Sequence, residues 1–176
     1  MSSKLASGGP LPEIQLPLIE GGTATLGETQ TPGAWKFVLV YRGLHCPVCN
    51  RYLKQLQELK EGYAKANTEI LALSADTLER AQEIAKVNGL EFPIAYGLNV
   101  DQMDRLGLYI SQNRPDDDVD YPFPEPGVFV LNAEGKLQVI EISNIPFHRA
   151  ELKELLETIE WIQENDYPLR GAYPEI

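Results

Sequence analysis

The chain has 176 residues, enough for one domain that buries roughly 70% of its unfolded surface, so no disulfide staple is needed for stability. Twenty-six acidic against fifteen basic residues leave a formal net charge of −11, which argues against nucleic acid and anionic membrane as partners and reads most simply as solubility. No stretch is long enough to cross a membrane, and the first ten residues lack the apolar core of a signal peptide, so a cytoplasmic location is expected.

Residues 1–11 read as a flexible arm, 12–164 as the folded domain and 165–176 as a C-terminal tail. Between Ile14 and Leu18 apolar residues alternate, Gly21-Gly22 turns the chain, and Thr23 to Leu26 return; Pro17 suits an edge strand of this hairpin. Lys36 to Tyr41 is a buried strand. Residues 47–66 carry Tyr52, Leu53, Leu56, Leu59 and Tyr63 at helical spacing, and Pro47 fits a first helical turn. Ile70 to Ser74 is a second buried strand. Asp76 and Glu79 resemble a capping box opening a helix that Gly89 closes. Phe92 to Tyr96 is a short strand and residues 100–108 a short helix. Asn113 to Pro126, rich in proline and acid, reads as a long loop. Gly127 to Leu131 and Leu137 to Ile142 form an antiparallel hairpin, and residues 149–164 a last helix burying Leu152, Leu155, Leu156 and Ile159. Trp35 and Trp161 are expected to pack.

The only two cysteines, Cys46 and Cys49, stand three positions apart where the first central strand meets the first long helix. Free amides and the dipole at a helix N-terminus stabilise an anion, lowering a thiol pKa from about 8.5 into the range of roughly 3.5–7.5. Helical positions i and i+3 hold Cβ atoms about 5–6 Å apart, one small adjustment from the roughly 3.5–4.5 Å of a disulfide. A redox pair therefore outweighs two inert buried thiols. Cys46, at the helix start, is the expected attacker, and Cys49, more buried, the resolver. Alternating strands and helices with a closing hairpin and helix give an α/β mixed sheet flanked by helices. That is the thioredoxin fold with an N-terminal β-hairpin extension.

Arg42 is either a surface cation or a partner of the thiolate. His45 could tune Cys46 when protonated, but an exposed turn residue is the simpler reading. Arg149 opens the last helix, where the dipole disfavours a cation, which hints at another partner. Cys46, Cys49, His45 and His148 are formally a zinc set, but His45 adjoins Cys46 and His148 stands alone. Asp116, Asp117 and Asp118 read as a solvated charge run. With no glycine-rich dinucleotide loop after any strand, no metal, flavin or nicotinamide cofactor is expected.

The run Tyr41-Arg42-Gly43-Leu44-His45-Cys46-Pro47-Val48-Cys49-Asn50 resembles the peroxiredoxin-like branch of the alkyl-hydroperoxide-reductase/thiol-specific-antioxidant superfamily. The resemblance extends by element order over residues 12–164, and by motif over 41–50 and 126–135. It implies a thioredoxin fold and thiol redox chemistry, with Cys46 on the peroxiredoxin nucleophile and Cys49 on the resolving cysteine of thioredoxin. It also places Pro126 where the family carries a cis-proline facing the thiols. The chain departs from the pattern at Leu39, where peroxiredoxins have proline, and at Gly43, where they have a Thr or Ser. His45 and Val48 replace two aromatic residues of the branch.

The implied function is an antioxidant oxidoreductase that reduces hydroperoxides through Cys46 and Cys49. Arg42 and Pro126 complete the site, and electrons come from an external thiol of the thioredoxin or glutathione type. Gly43 makes a protein disulfide reductase a rival, and a non-catalytic redox sensor is the third reading. The tail from Tyr167 to Tyr173 either folds back or meets a second copy in a homodimer.

Overall fold

The run Trp35–Val40, apolar apart from Lys36, becomes β3, buried at every position, at the centre of a five-stranded sheet. The computed structural model describes residues 4–173. On one side β3 pairs in parallel with β4 (Thr68–Leu73), which pairs in parallel with the two-residue β5 (Ile94–Ala95). On the other side it pairs antiparallel with β8 (Gly127–Leu131), and β8 with the edge strand β9 (Leu137–Ile142). The mixed sheet flanked by helices is the thioredoxin-type architecture expected.

Alternation along the strands divides the core in two. Phe37, Leu39 and Tyr41 face a layer that includes α1 (Pro47–Lys65), α2 (Leu78–Asn88) and α4 (Leu152–Asn165). Val38, Val40, Leu71 and Leu73 face the hairpin β1 (Gln15–Pro17) and β2 (Thr23–Thr25), together with α3 (Val100–Arg105). The helical spacing read for α1 holds: Tyr52, Leu53, Leu56 and Tyr63 are buried. Burying one such leucine contributes about 2 kcal/mol. Gly62 lets α4 approach, since a Cβ there would lie 2.7 Å from Leu156 Cδ2.

Several expectations need correcting. The arm is not free over its described part: Gly8 N–H donates to the Leu137 carbonyl, Leu137 N–H to the Gly9 carbonyl, and Leu11 is buried. Residues 1–3 lie outside the described residues. The tail folds back as far as it is described. Ser7 Oγ donates to the Arg170 carbonyl, and Tyr167 packs on Trp161 at 5.5 Å, leaving that tryptophan half exposed rather than in the core. Thr77, not Asp76, caps α2, because the Asp76 carboxylate is turned into the interior. The acidic loop contains a strand, β7 (Phe123–Pro124), paired with β6 (Ile110–Ser111), a strand that short apolar runs gave no means to read. The last helix begins at Leu152, so Arg149 lies in the loop before it.

Candidate functional site

Strand β3 ends at Val40, and six residues later the chain opens α1 with Cys46 as its N-cap. The turn between depends on Gly43. Its φ of +148° disfavours any side chain, and a Cβ would sit 2.7 Å from Asp76 Oδ1 and 2.9 Å from His45 Nδ1. The hydroxyl that peroxiredoxins carry here is therefore excluded by the backbone as well as absent from the sequence. Asp76, fully buried, fastens the turn: it accepts from Leu44 N–H at 2.8 Å and from the Tyr121 hydroxyl at 2.9 Å, with Arg80 Nε at 3.6 Å. Asn50 Nδ2 adds hydrogen bonds to the carbonyls of Leu44 and Cys46.

Both thiols are free and buried, Cys46 at 1% exposure and Cys49 at 0%, so the expected difference in exposure is almost nil. Charge separates them instead. The Cys46 thiol is lowered to about 6, chiefly because Cys49 S–H donates to its sulfur; the Arg42 guanidinium and the Cys49 amide, at 3.3 Å, add to this against the opposing effect of burial. The helix terminus thus contributes one amide, less than the side chains do. Cys49 is pushed far above the ordinary thiol range, first by burial and then by the bond it gives to Cys46, while Arg149 pulls it back.

Arg42 is not a surface cation. Its Nε lies 3.0 Å from Glu125 Oε2, and its guanidinium stacks 4.9 Å over the Phe123 ring. Glu125 is itself buried and held by the Ser111 hydroxyl at 2.6 Å. The short β6–β7 ladder therefore supplies the carboxylate that aims Arg42. His45 is half-buried against Phe123, ring centroids 4.5 Å apart, with neither ring nitrogen hydrogen-bonded. Burial and then Arg42 lower its pKa, so it is neutral near pH 7 and supplies no charge to Cys46.

Pro126 stands at the head of β8 and lines a groove of about 540 Å³ with Ser143, His148 and Arg149. The described residues contain no cis peptide bond, which corrects the cis-proline implied for Pro126. Glu125 N–H is held by the Tyr109 carbonyl, and Ser143 N–H donates to the Pro126 carbonyl, so the chain runs extended from β7 into β8. Extended backbone is what the residue before proline prefers. The spacing of residues pointed to none of Glu125, Asp76 and Phe123 as parts of the site. Arg149, in the loop before α4, reaches Cys49 Sγ at 3.6 Å from 100 positions away.

Among the described residues no three His, Cys, Asp or Glu side chains converge to hold a metal ion, and no helix is long and apolar enough to cross a membrane.

The model of the AhpC/TSA family matches residues 7–140. The thiol-disulfide oxidoreductase ResA of Halalkalibacterium halodurans is 24% identical over 143 residues, covering 81% of this chain and 70% of that protein. A peroxiredoxin-like protein from Aquifex aeolicus superposes with a TM-score of 0.74 at 15% identity, over 91% of this chain and 89% of its own. A yeast mitochondrial 1-Cys peroxiredoxin, described as resolved via glutathione/thioredoxin systems, superposes with a TM-score of 0.73 at 17% identity, over 93% and 78%.

Proposed function

Because the chain belongs to the AhpC/TSA family of thiol-dependent oxidoreductases, we propose that it is a thiol peroxidase in which Cys46 attacks hydroperoxides and Cys49 resolves the product. One observation carries this reading. Cys46 caps α1 with its sulfur accepting from Cys49 N–H at 3.3 Å, beside Arg42, an arrangement that lowers its thiol pKa to about 6.

The Cys46 thiolate attacks the outer peroxide oxygen; an S–O bond forms, the O–O bond breaks, and the alkoxide leaves and takes a proton from water. Arg42, which helps hold the Cys46 charge, is the group that meets the developing charge in this reading. Cys49 then attacks the Cys46 sulfenic acid. The S–S bond forms, the S–O bond breaks, and hydroxide leaves with the Cys49 proton as water. An external dithiol or glutathione returns the pair to the reduced state by exchange. The cycle suits a reducing, cytoplasmic type of compartment, and a homodimer is compatible with it.

Gly43 favours a second reading, a protein disulfide reductase with little peroxidase activity, because its backbone leaves no place for the peroxide-binding hydroxyl. Assays with thioredoxin or glutathione as electron source separate the two. Consumption of hydrogen peroxide that Cys46→Ser abolishes supports the peroxidase. Turnover of a protein disulfide without peroxide turnover transfers the assignment to the reductase. Stoichiometric oxidation with neither turnover leaves the redox sensor.

A further inference from the structure

Each sulfur of the pair has its own guanidinium, and the two are held differently. Arg42 is matched by the buried carboxylate of Glu125. Among the described residues no carboxylate lies within ion-pair distance of Arg149. It is fixed by uncharged groups instead. Nε donates to the Pro146 carbonyl at 2.9 Å, Nη2 donates to the same oxygen, and the guanidinium stacks 4.7 Å over the Tyr52 ring. The Tyr52 hydroxyl bonds the Ala150 carbonyl, tying the loop to α1. Its Nη1 is buried without a protein acceptor, and Nη2 points at Cys49 Sγ at 3.6 Å.

A cation with no ion-pair partner, held beside a neutral buried thiol, is costly in the resting state. It becomes favourable when that sulfur turns negative, which happens only in transit. Cys49 must shed its proton to attack oxidised Cys46, and it carries the charge again whenever the disulfide is opened at Cys46. Fixed charge aimed where charge develops is how a site lowers such a barrier.

We propose that Arg149 is a catalytic residue of the resolving step, a preorganised counter-ion for the Cys49 thiolate as it closes, and on reduction leaves, the Cys46–Cys49 disulfide. This rests on the redox reading of the pair but not on peroxide being the oxidant. Arg42 serves the first sulfur and Arg149 the second, so removing Arg149 slows closure and leaves the first attack intact.

The test uses methyl methanethiosulfonate, a small thiol reagent that is not a peroxide. The Cys46 thiolate attacks its methylthio sulfur, forming a mixed disulfide and releasing methanesulfinate. Cys49 thiolate then displaces methanethiolate and closes the disulfide. Acid quench and intact mass read both steps in one time course, comparing the native chain with Arg149→Met and Arg149→Lys. The methionine variant is expected to form the adduct at the native rate and close it about tenfold more slowly, the size of one charge-assisted hydrogen bond. The unchanged first step reports an intact site. Lysine, which keeps the charge, is expected to recover part of the loss. Equal slowing of both steps, no slowing of closure, or a lysine variant no faster than methionine would overturn the proposal. Failure of the peroxidase reading appears separately, as a native chain that closes the methylthio adduct yet ignores hydrogen peroxide.

Discussion

Cys46 and Cys49 are three residues apart on one helix, equally hidden from water, and opposite in chemistry. Cys46 caps α1 and collects donors: Cys49 S–H, Arg42 and the Cys49 amide bring its pKa to about 6. Cys49 lies one turn inside, gives its proton toward Cys46, and is driven up by burial. The difference teaches that burial alone does not set the reactivity of a thiol here: burial raises both sulfurs, and the donors that Cys46 collects and Cys49 lacks part them.

The comparison is broken most completely by removing the sulfurs themselves. Cys46→Ser is expected to abolish reaction with any electrophilic sulfur or peroxide. Cys49→Ala should keep a slower first step, stall as an unresolved adduct, and raise the Cys46 pKa by deleting its largest stabiliser, all readable by intact mass and ultraviolet thiolate titration. Next in size is Gly43→Thr, which restores the family hydroxyl in a turn that cannot hold it. A loss of about 2 kcal/mol in urea unfolding is expected, with no gain in peroxide reactivity. A smaller effect sharpens the Cys46 side. Arg42→Met should raise the Cys46 pKa by about one unit, a cost of about 1.4 kcal/mol to the thiolate. The sign follows from the lowered pKa. Cys46 contributes stability to the reduced form above the ordinary thiol value of 9.0 and gives it up as pH falls through about 6, so Arg42→Met should narrow that window from its acid end. The smallest change lies at the rim. Asp118 is 90% exposed where it meets Arg80 at 3.4 Å, and Asp118→Ala should cost less than about 0.5 kcal/mol.

The fold was legible wherever one face of a segment had to be buried. The helical period shows α1, unbroken apolar runs show β3, β4 and β8, and alternation shows the first hairpin. The closeness of the two cysteines was legible from their spacing at a strand-to-helix junction. The rest of the site was hidden because it is assembled across the sheet. Glu125 reaches Arg42 only because β6 pairs with β7, two residues each, inside a segment whose prolines and acids read as loop. Asp76 looked like a helix cap because its sequence position fits one, and it faces inward because the turn at Gly43 presents Leu44 N–H to it. Arg149 left no valid trace, since it lies in the loop before α4 and meets no helix dipole; the sulfur it reaches is set by the packing of α4 against α1. The cis-proline expected at Pro126 came from family resemblance and not from any residue around it, and the chain does not meet it.

The most direct measurement is rapid mixing of the fully reduced protein with hydrogen peroxide across a range of pH, alongside Cys46→Ser. A thiolate at Cys46 predicts fast loss of both thiols, a rate that rises through about pH 6 and then levels, and no fast phase in the variant. A rate that rises only through the ordinary thiol range, or one that survives Cys46→Ser, would contradict it.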